Sequence, residues 1–173
     1  MSGTACCRDC GAVVPDVPEL RTDHLYGGAA PGCWALYTEL MGRQLADPGL
    51  AEARMLAVDA YLAQHPGEPS RQASQSVWVH LIGLCLALEH GYGGIASAKA
   101  KSRAAAPEAT FEWLEPPDSL GLTTVLDVLA TATPDEHRAA VRRRAVSVWE
   151  AWGAHHGAIR TRAEGLVRGN HGP

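Results

Sequence analysis

Cysteine and histidine carry most of the chemistry open to this 173-residue chain, which has five of the first and eight of the second. Cys7-Arg8-Asp9-Cys10-Gly11 is a C-x-x-C followed by glycine, a spacing at which a tight turn lets two thiolates reach one tetrahedral ion. Thirteen residues separate Cys10 from His24, and eight separate His24 from Cys33. Cys7, Cys10, His24 and Cys33 therefore make a complete Cys3His set for a structural zinc ion. The segment needs such a cross-link, because Pro15, Pro18, Gly27, Gly28 and Pro31 interrupt it without any periodicity, and metal binding is thermodynamically coupled to local folding. Two other readings stay open. A redox C-x-x-C belongs at a helix N-terminus beside a strand, and no strand pattern precedes Cys7. Alternatively, the cysteines are reduced and have no role. Cys6 could stand in for Cys7.

A second constellation comprises Asp59, Tyr61, His65, His80, His155 and His156, drawn from three predicted helices. Imidazoles meeting a carboxylate inside a bundle are how such folds build catalytic metal sites with an open position for water. His65, His80, His156 and Asp59 are the catalytic candidates, and Tyr61, His65, His80, Trp149, His155 and His156 the candidate ligand-binding set. If they form one pocket, the ring nitrogens of His65, His80 and His155 or His156 should lie within about 8 Å of one another. Each histidine also has a structural reading: His65 caps a helix C-terminus, His80 bonds a backbone carbonyl, His155 is solvated. The chain contains no phosphate-cradling glycine loop, no G-x-S-x-G and no H-E-x-x-H.

The elements that must position these groups are helices. Apolar spacing and breakers predict helices near 32–46, 50–65, 70–90, 95–106 and 123–130, the third being the most hydrophobic and hence central. Phe111 to Pro117 reads as an extended loop across the bundle. The last helix has Thr133 as N-cap, Pro134 at its first position and Asp135 and Glu136 in its first turn. Its apolar seam runs through Val141, Ala145, Val148, Trp149, Trp152, His156 and Ile159 as one continuous helix. The fold class expected is all-α, a bundle of four to six helices with an irregular zinc-stapled N-terminal segment. It forms one domain over 1–173: an irregular segment at 1–33, a bundle at 34–167 and a disordered tail at 168–173.

A net charge of −4 argues against general nucleic-acid binding, which draws on a basic surface; the arginines between Arg138 and Arg168 read as a solvated helix face. No apolar run reaches the roughly 18 residues of a membrane span, and the first residues lack a signal-peptide core, so a cytoplasmic protein without disulfides is expected. Cys85, in an apolar run, reads as a buried free thiol.

With these residues in view, the chain resembles an uncharacterised, mainly actinobacterial family of small helical proteins classed only as a domain of unknown function. The segments that carry the resemblance are Cys7-Arg8-Asp9-Cys10-Gly11-Ala12, His24-Leu25-Tyr26, Pro31-Gly32-Cys33-Trp34, Val58-Asp59-Ala60-Tyr61, Gln64-His65-Pro66-Gly67, His80-Leu81, Trp113-Leu114-Glu115-Pro116-Pro117 and Val148-Trp149-Glu150-Ala151-Trp152. The resemblance implies the Cys, Cys, His, Cys set and the histidines at 65 and 80, but no activity. The chain departs from the pattern at Arg54, where histidine is usual, and at Arg144, where tryptophan is. Without a histidine at 54, an inner metal site would be incomplete.

The function expected is that of a zinc-stabilised helical protein with a binding or accessory role and a small-molecule pocket lined by His65, His80 and the Trp149 face. The alternative is an enzyme using an inner metal, or the histidines themselves, for acid-base chemistry on a small metabolite.

Overall fold

The computed structural model describes residues 3–17 and 28–168. Two short strands, β1 (Thr4–Cys6) and β2 (Val13–Pro15), pair antiparallel with Ala5 opposite Val14. Seven α-helices follow: α1 (Pro31–Ala46), α2 (Ala51–Ala63), α3 (Arg71–Glu89), α4 (Gly94–Ala104), α5 (Val125–Leu129), α6 (Pro134–Ala151) and α7 (His156–Arg168). The fold is therefore mostly helical, as the periodicity predicts. The hairpin is a correction: a strand does precede Cys7, although three residues are too few to leave an alternating pattern in the sequence.

The hydrophobic α3, packed against α2, α4, α6 and α7, shares the middle of the bundle with α2, which packs against α1, α3, α4 and α6. The sequence of α2 explains why. Ala53, Ala57, Ala60 and Ala63 are all buried, and methyl side chains let neighbouring helices approach from several sides at once. Two apolar clusters meet across it. Ala60 and Ala63 belong with Trp78, Leu81, Leu84, Val148 and Trp152, whereas Ala57 and Tyr61 belong with Cys33, Tyr37, Leu40, Val125 and Val141.

The helix starts follow local chemistry. Thr133 Oγ1 accepts from the Glu136 amide at 3.3 Å while the Glu136 carboxylate accepts from the Thr133 amide at 3.0 Å, a reciprocal capping box that satisfies two donors at the start of α6. The seam expected to run on as one helix instead divides. α6 stops at Ala151, a 3-10 turn spans Gly153–His155, and α7 begins at His156 and packs on α3 and α4. Trp152 anchors the break: it is fully buried and its Nε1 donates to the Ala63 carbonyl at 3.0 Å, while Gly153 lowers the cost of leaving the helix. The extended segment expected at 111–117 is present, with Leu114 buried and the Glu112 carbonyl accepting from Trp78 Nε1 at 2.9 Å. Among the described residues, no helix is long and apolar enough to cross a membrane.

Because Trp152 fills the core and also satisfies a carbonyl at the C-terminal end of α2, Trp152→Ala should destabilise the protein by about 3–5 kcal/mol. Urea unfolding followed by far-ultraviolet circular dichroism measures that loss.

Candidate metal centre

Strand β1 delivers the chain to Cys7, and the return to β2 makes a knuckle. The Cys7 amide donates to the Ala12 carbonyl at 2.8 Å and the Gly11 amide to the Cys7 carbonyl at 2.9 Å. Gly11 has φ +70°, the left-handed conformation that glycine adopts without a Cβ penalty. Cys33 lies in the first turn of α1, which starts at Pro31. A Cβ on the neighbouring Gly32 would meet the Pro15 carbonyl oxygen at 1.9 Å, so glycine is what lets α1 begin hard against the end of β2.

The fourth group comes from the bundle. Just beyond α2, His65 is 3% exposed, and its Nδ1 lies 2.7 Å from the Tyr61 carbonyl. A carbonyl only accepts, so Nδ1 carries the proton and Nε2 is left as a free donor atom. Nε2 is 3.4 Å from Cys33 Sγ, and Cys10 Sγ is 3.8 Å from Cys33 Sγ. The ligand atoms of Cys7, Cys10, Cys33 and His65 all lie within 4.8 Å of one another. Zinc–sulfur bonds of about 2.3 Å at tetrahedral angles put two sulfurs about 3.8 Å apart, and a sulfur and an imidazole nitrogen about 3.6 Å apart. The donor set fits such an ion.

The surroundings suit thiolates. The Ala30 amide points at Cys7 Sγ from 3.4 Å and the Tyr61 hydroxyl at Cys33 Sγ from 3.7 Å. Burial, with the Cys33 sulfur adding to it, pushes the Tyr61 phenol far above its ordinary range, so it remains a donor. Hydrogen bonding to Cys10, then to Cys33, draws the Cys7 thiol far down, whereas hydrogen bonding to Cys10 and Cys7 drives Cys33 up. Burial works against a charged His65, but the Cys10 and Cys7 sulfurs outweigh it and raise the imidazole to about 9, so that a metal taking Nε2 would displace a proton from it.

Asp9, inside the C-x-x-C, is a functional position that the ligand spacing conceals. Its Oδ2 accepts from the Gly28 amide at 3.0 Å and the Gly67 amide at 3.1 Å, clamping the knuckle to the approach of α1 and to the turn after α2. A Cβ on Gly28 would meet Asp9 Oδ1 at 1.9 Å, and Gly67 has φ +70°. The glycine at each contact is the only trace of this clamp in the sequence.

His24 lies outside the described residues. The other candidates make separate sets of contacts. Asp59 and Tyr61 are two residues apart, about 200° around a helix, so Tyr61 faces the cysteines while Asp59 faces α3 and α4. Asp59 is 1% exposed, and its Oδ1 accepts from His80 Nδ1 at 2.8 Å and from Lys101 Nζ. Gly83 makes room for that carboxylate, since a Cβ there would meet Asp59 Oδ2 at 2.4 Å. Lys101 is buried in the alanine-rich α4, whose composition gives no sign of a buried charge. His156 stacks on Trp149 with ring centroids 3.8 Å apart and bonds the Trp149 carbonyl, and His155 bonds the Glu115 carbonyl. Among the described residues, His65, His80, His155 and His156 share no hydrogen-bond partner, and each imidazole has its own structural engagement. Arg54 turns to α1, donating to the Gln44 carbonyl at 2.9 Å. Cys85 is buried as expected, and burial pushes its thiol up to about 12.

Residues 5–153 match a family of unknown function, DUF5946. The chain belongs to that family. No curated protein and no solved structure matches this DUF5946 member, so its chemistry is read from its own residues.

Asp9→Ala strips the acceptor from two amides, each unpaired donor costing about 1–3 kcal/mol where it stays buried. The variant should melt earlier than the parent, and hydrogen exchange should quicken at the Gly28 and Gly67 amides while those of α3 stay protected.

Proposed function

We propose that this protein is a helical binding or accessory protein whose N-terminal segment is held on the bundle by one structural zinc ion, with Cys7, Cys10, Cys33 and His65 as ligands. The observation that carries the reading is the approach of four donor atoms from three separate stretches of chain to within 4.8 Å, at spacings that suit a tetrahedral ion. A metal with four protein ligands is closed: it offers no position to water or substrate, which is the hallmark of structural rather than catalytic zinc. Three thiolates with one imidazole favour zinc over hard, oxygen-seeking cations. The His65 Nδ1–H bond to the Tyr61 carbonyl is the usual outer contact of a metal-bound imidazole, fixing both tautomer and ring orientation.

Reduced cysteines of this kind suit a cytoplasmic setting. Small-molecule binding fits a cleft of about 360 Å³ lined by Arg43, Asp47, Thr131, Thr133 and His137, a lining that includes none of the histidines expected to form the pocket. The enzymatic alternative is supported by one arrangement, the buried Asp59 that fixes the Nδ1–H of His80. That bond leaves Nε2 as the basic nitrogen, as general base catalysis requires. Turnover of a small metabolite that disappears in His80→Gln, with zinc content unchanged, would establish it.

Elemental analysis of the purified protein tests the leading reading. About one zinc per chain is expected, lost together with thermal stability in Cys10→Ser and in His65→Ala and retained in His24→Ala. Zinc lost from His24→Ala and kept by His65→Ala would replace the fourth ligand. A wild-type protein free of zinc, with all its thiols reactive, would sink the reading.

A further inference from the structure

Arg144, on α6, is 1% exposed. Its Nε and Nη2 donate to Gln64 Oε1 at 3.1 and 2.7 Å, its Nη1 is buried without a hydrogen-bond partner, and its guanidinium carbon stands 5.4 Å from the centroid of the Tyr61 ring. Its described partners include no carboxylate. A neutral amide oxygen and a ring face do not balance a full positive charge in a core, where an uncompensated ion is strongly unfavourable. The same Tyr61 leads on to the cysteines, its hydroxyl donating to Cys33 Sγ at 3.7 Å. Burial draws the guanidinium below its ordinary range, and Cys10 and Cys33 are the first groups to pull it back.

A divalent ion held by three thiolates and a neutral imidazole carries one net negative charge. We infer that Arg144 is the buried counter-charge of the metal–thiolate centre, coupling zinc binding at the N-terminal knuckle to the packing of α6 on α2. The inference rests on the zinc reading above. It makes Arg144 a residue that raises metal affinity without touching the metal, with Tyr61 between them as the polarisable spacer. Gln64, immediately before the ligand His65, fixes the position of the guanidinium.

The test compares Arg144→Met, close in volume but uncharged, Arg144→Gln, which keeps a donor for Gln64, and Arg144→Lys, which keeps the charge. Zinc affinity is measured on the full chain by competition with a chromophoric chelator, and melting midpoints are recorded for the zinc-loaded and chelator-stripped forms. Arg144→Met and Arg144→Gln should bind zinc about 10- to 100-fold more weakly, the range typical of outer-shell partners, and Arg144→Lys should recover most of that loss. In the uncharged variants the zinc-loaded midpoint should fall while the stripped midpoint holds or rises. Wild-type affinity in both uncharged variants, or an equal drop of both midpoints with no recovery in Arg144→Lys, would make Arg144 a packing residue and overturn the inference while leaving the zinc site standing. A wild-type chain that binds no zinc would overturn the zinc reading itself.

Discussion

The donor atoms of Cys7, Cys10, Cys33 and His65 come from a hairpin, the first turn of α1 and the end of α2, and they can stand within 4.8 Å of one another only if all three pieces are placed together. Much of the local detail serves that constraint. Gly11 turns the knuckle, Gly32 lets α1 start against the Pro15 carbonyl, and Asp9 gathers the amides of Gly28 and Gly67. None of these contacts buries much apolar area. What they share is that a Cβ at Gly28 or Gly32, a residue that resists positive φ at Gly11, or a missing carboxylate at Asp9 would shift one of the three pieces away from the others.

The second organising feature is the C-terminal half of α2, where adjacent residues face different parts of the molecule. Asp59 turns to His80 and Lys101, Tyr61 to Tyr37 and Cys33, and Gln64 to the carbonyls of Leu120 and Thr123 as well as to Arg144. His65 then turns back to the cysteines. A helix with polar groups on several buried sides must supply each with a partner, because an unpaired buried polar group costs about as much as several buried methylenes gain. Small residues between them, Ala57, Ala60 and Ala63, give the partner helices room to come close enough. The alanines and the buried polar residues of α2 are therefore two halves of one arrangement.

Sequence patterns reveal some of this and hide the rest for identifiable reasons. The helices, the Thr133 cap and the Cys7, Cys10 and Cys33 cluster are legible because each depends on local spacing. His65 is visible as a buried histidine near a helix end, yet it reads as a cap or a pocket residue, since ligand spacing along the chain favours the nearer His24. Three-dimensional proximity, with 32 positions between Cys33 and His65, leaves no such trace. The break between α6 and α7 is hidden because the apolar seam keeps its period through Trp152, and only Gly153 hints at it. Lys101 is concealed by its alanine-rich neighbours, its buried charge meaningful only once Asp59 is seen opposite.

The hairpin's own resources are too small to hold it in place. Val14 and Ala12 are the apolar side chains that residues 11–15 bury, while Val13 is 62% exposed. Their burial is worth about 2–3 kcal/mol. Ordering the backbone of those same five residues costs roughly 1–2 kcal/mol per residue, about three times as much in all. Two short strands add few hydrogen bonds against that deficit, and an isolated hairpin of this length is not stable in water. Coordination of a zinc ion, as proposed, would supply free energy of roughly 10–16 kcal/mol, a size that area burial in this segment cannot approach. A hydrophobic N-terminal strand could have closed the gap by packing on α1 and α2 instead. Here α2 and the turn after it direct Tyr61 and His65 toward the cysteines, rings tilted by 33° with their centroids 4.1 Å apart that present a hydroxyl and a ring nitrogen rather than an apolar surface. Polar groups of that kind, turned toward sulfur in a buried place, are satisfied when the sulfurs are thiolates on a metal, so the chemistry of the α2 surface and the poverty of the hairpin core call for the same ion.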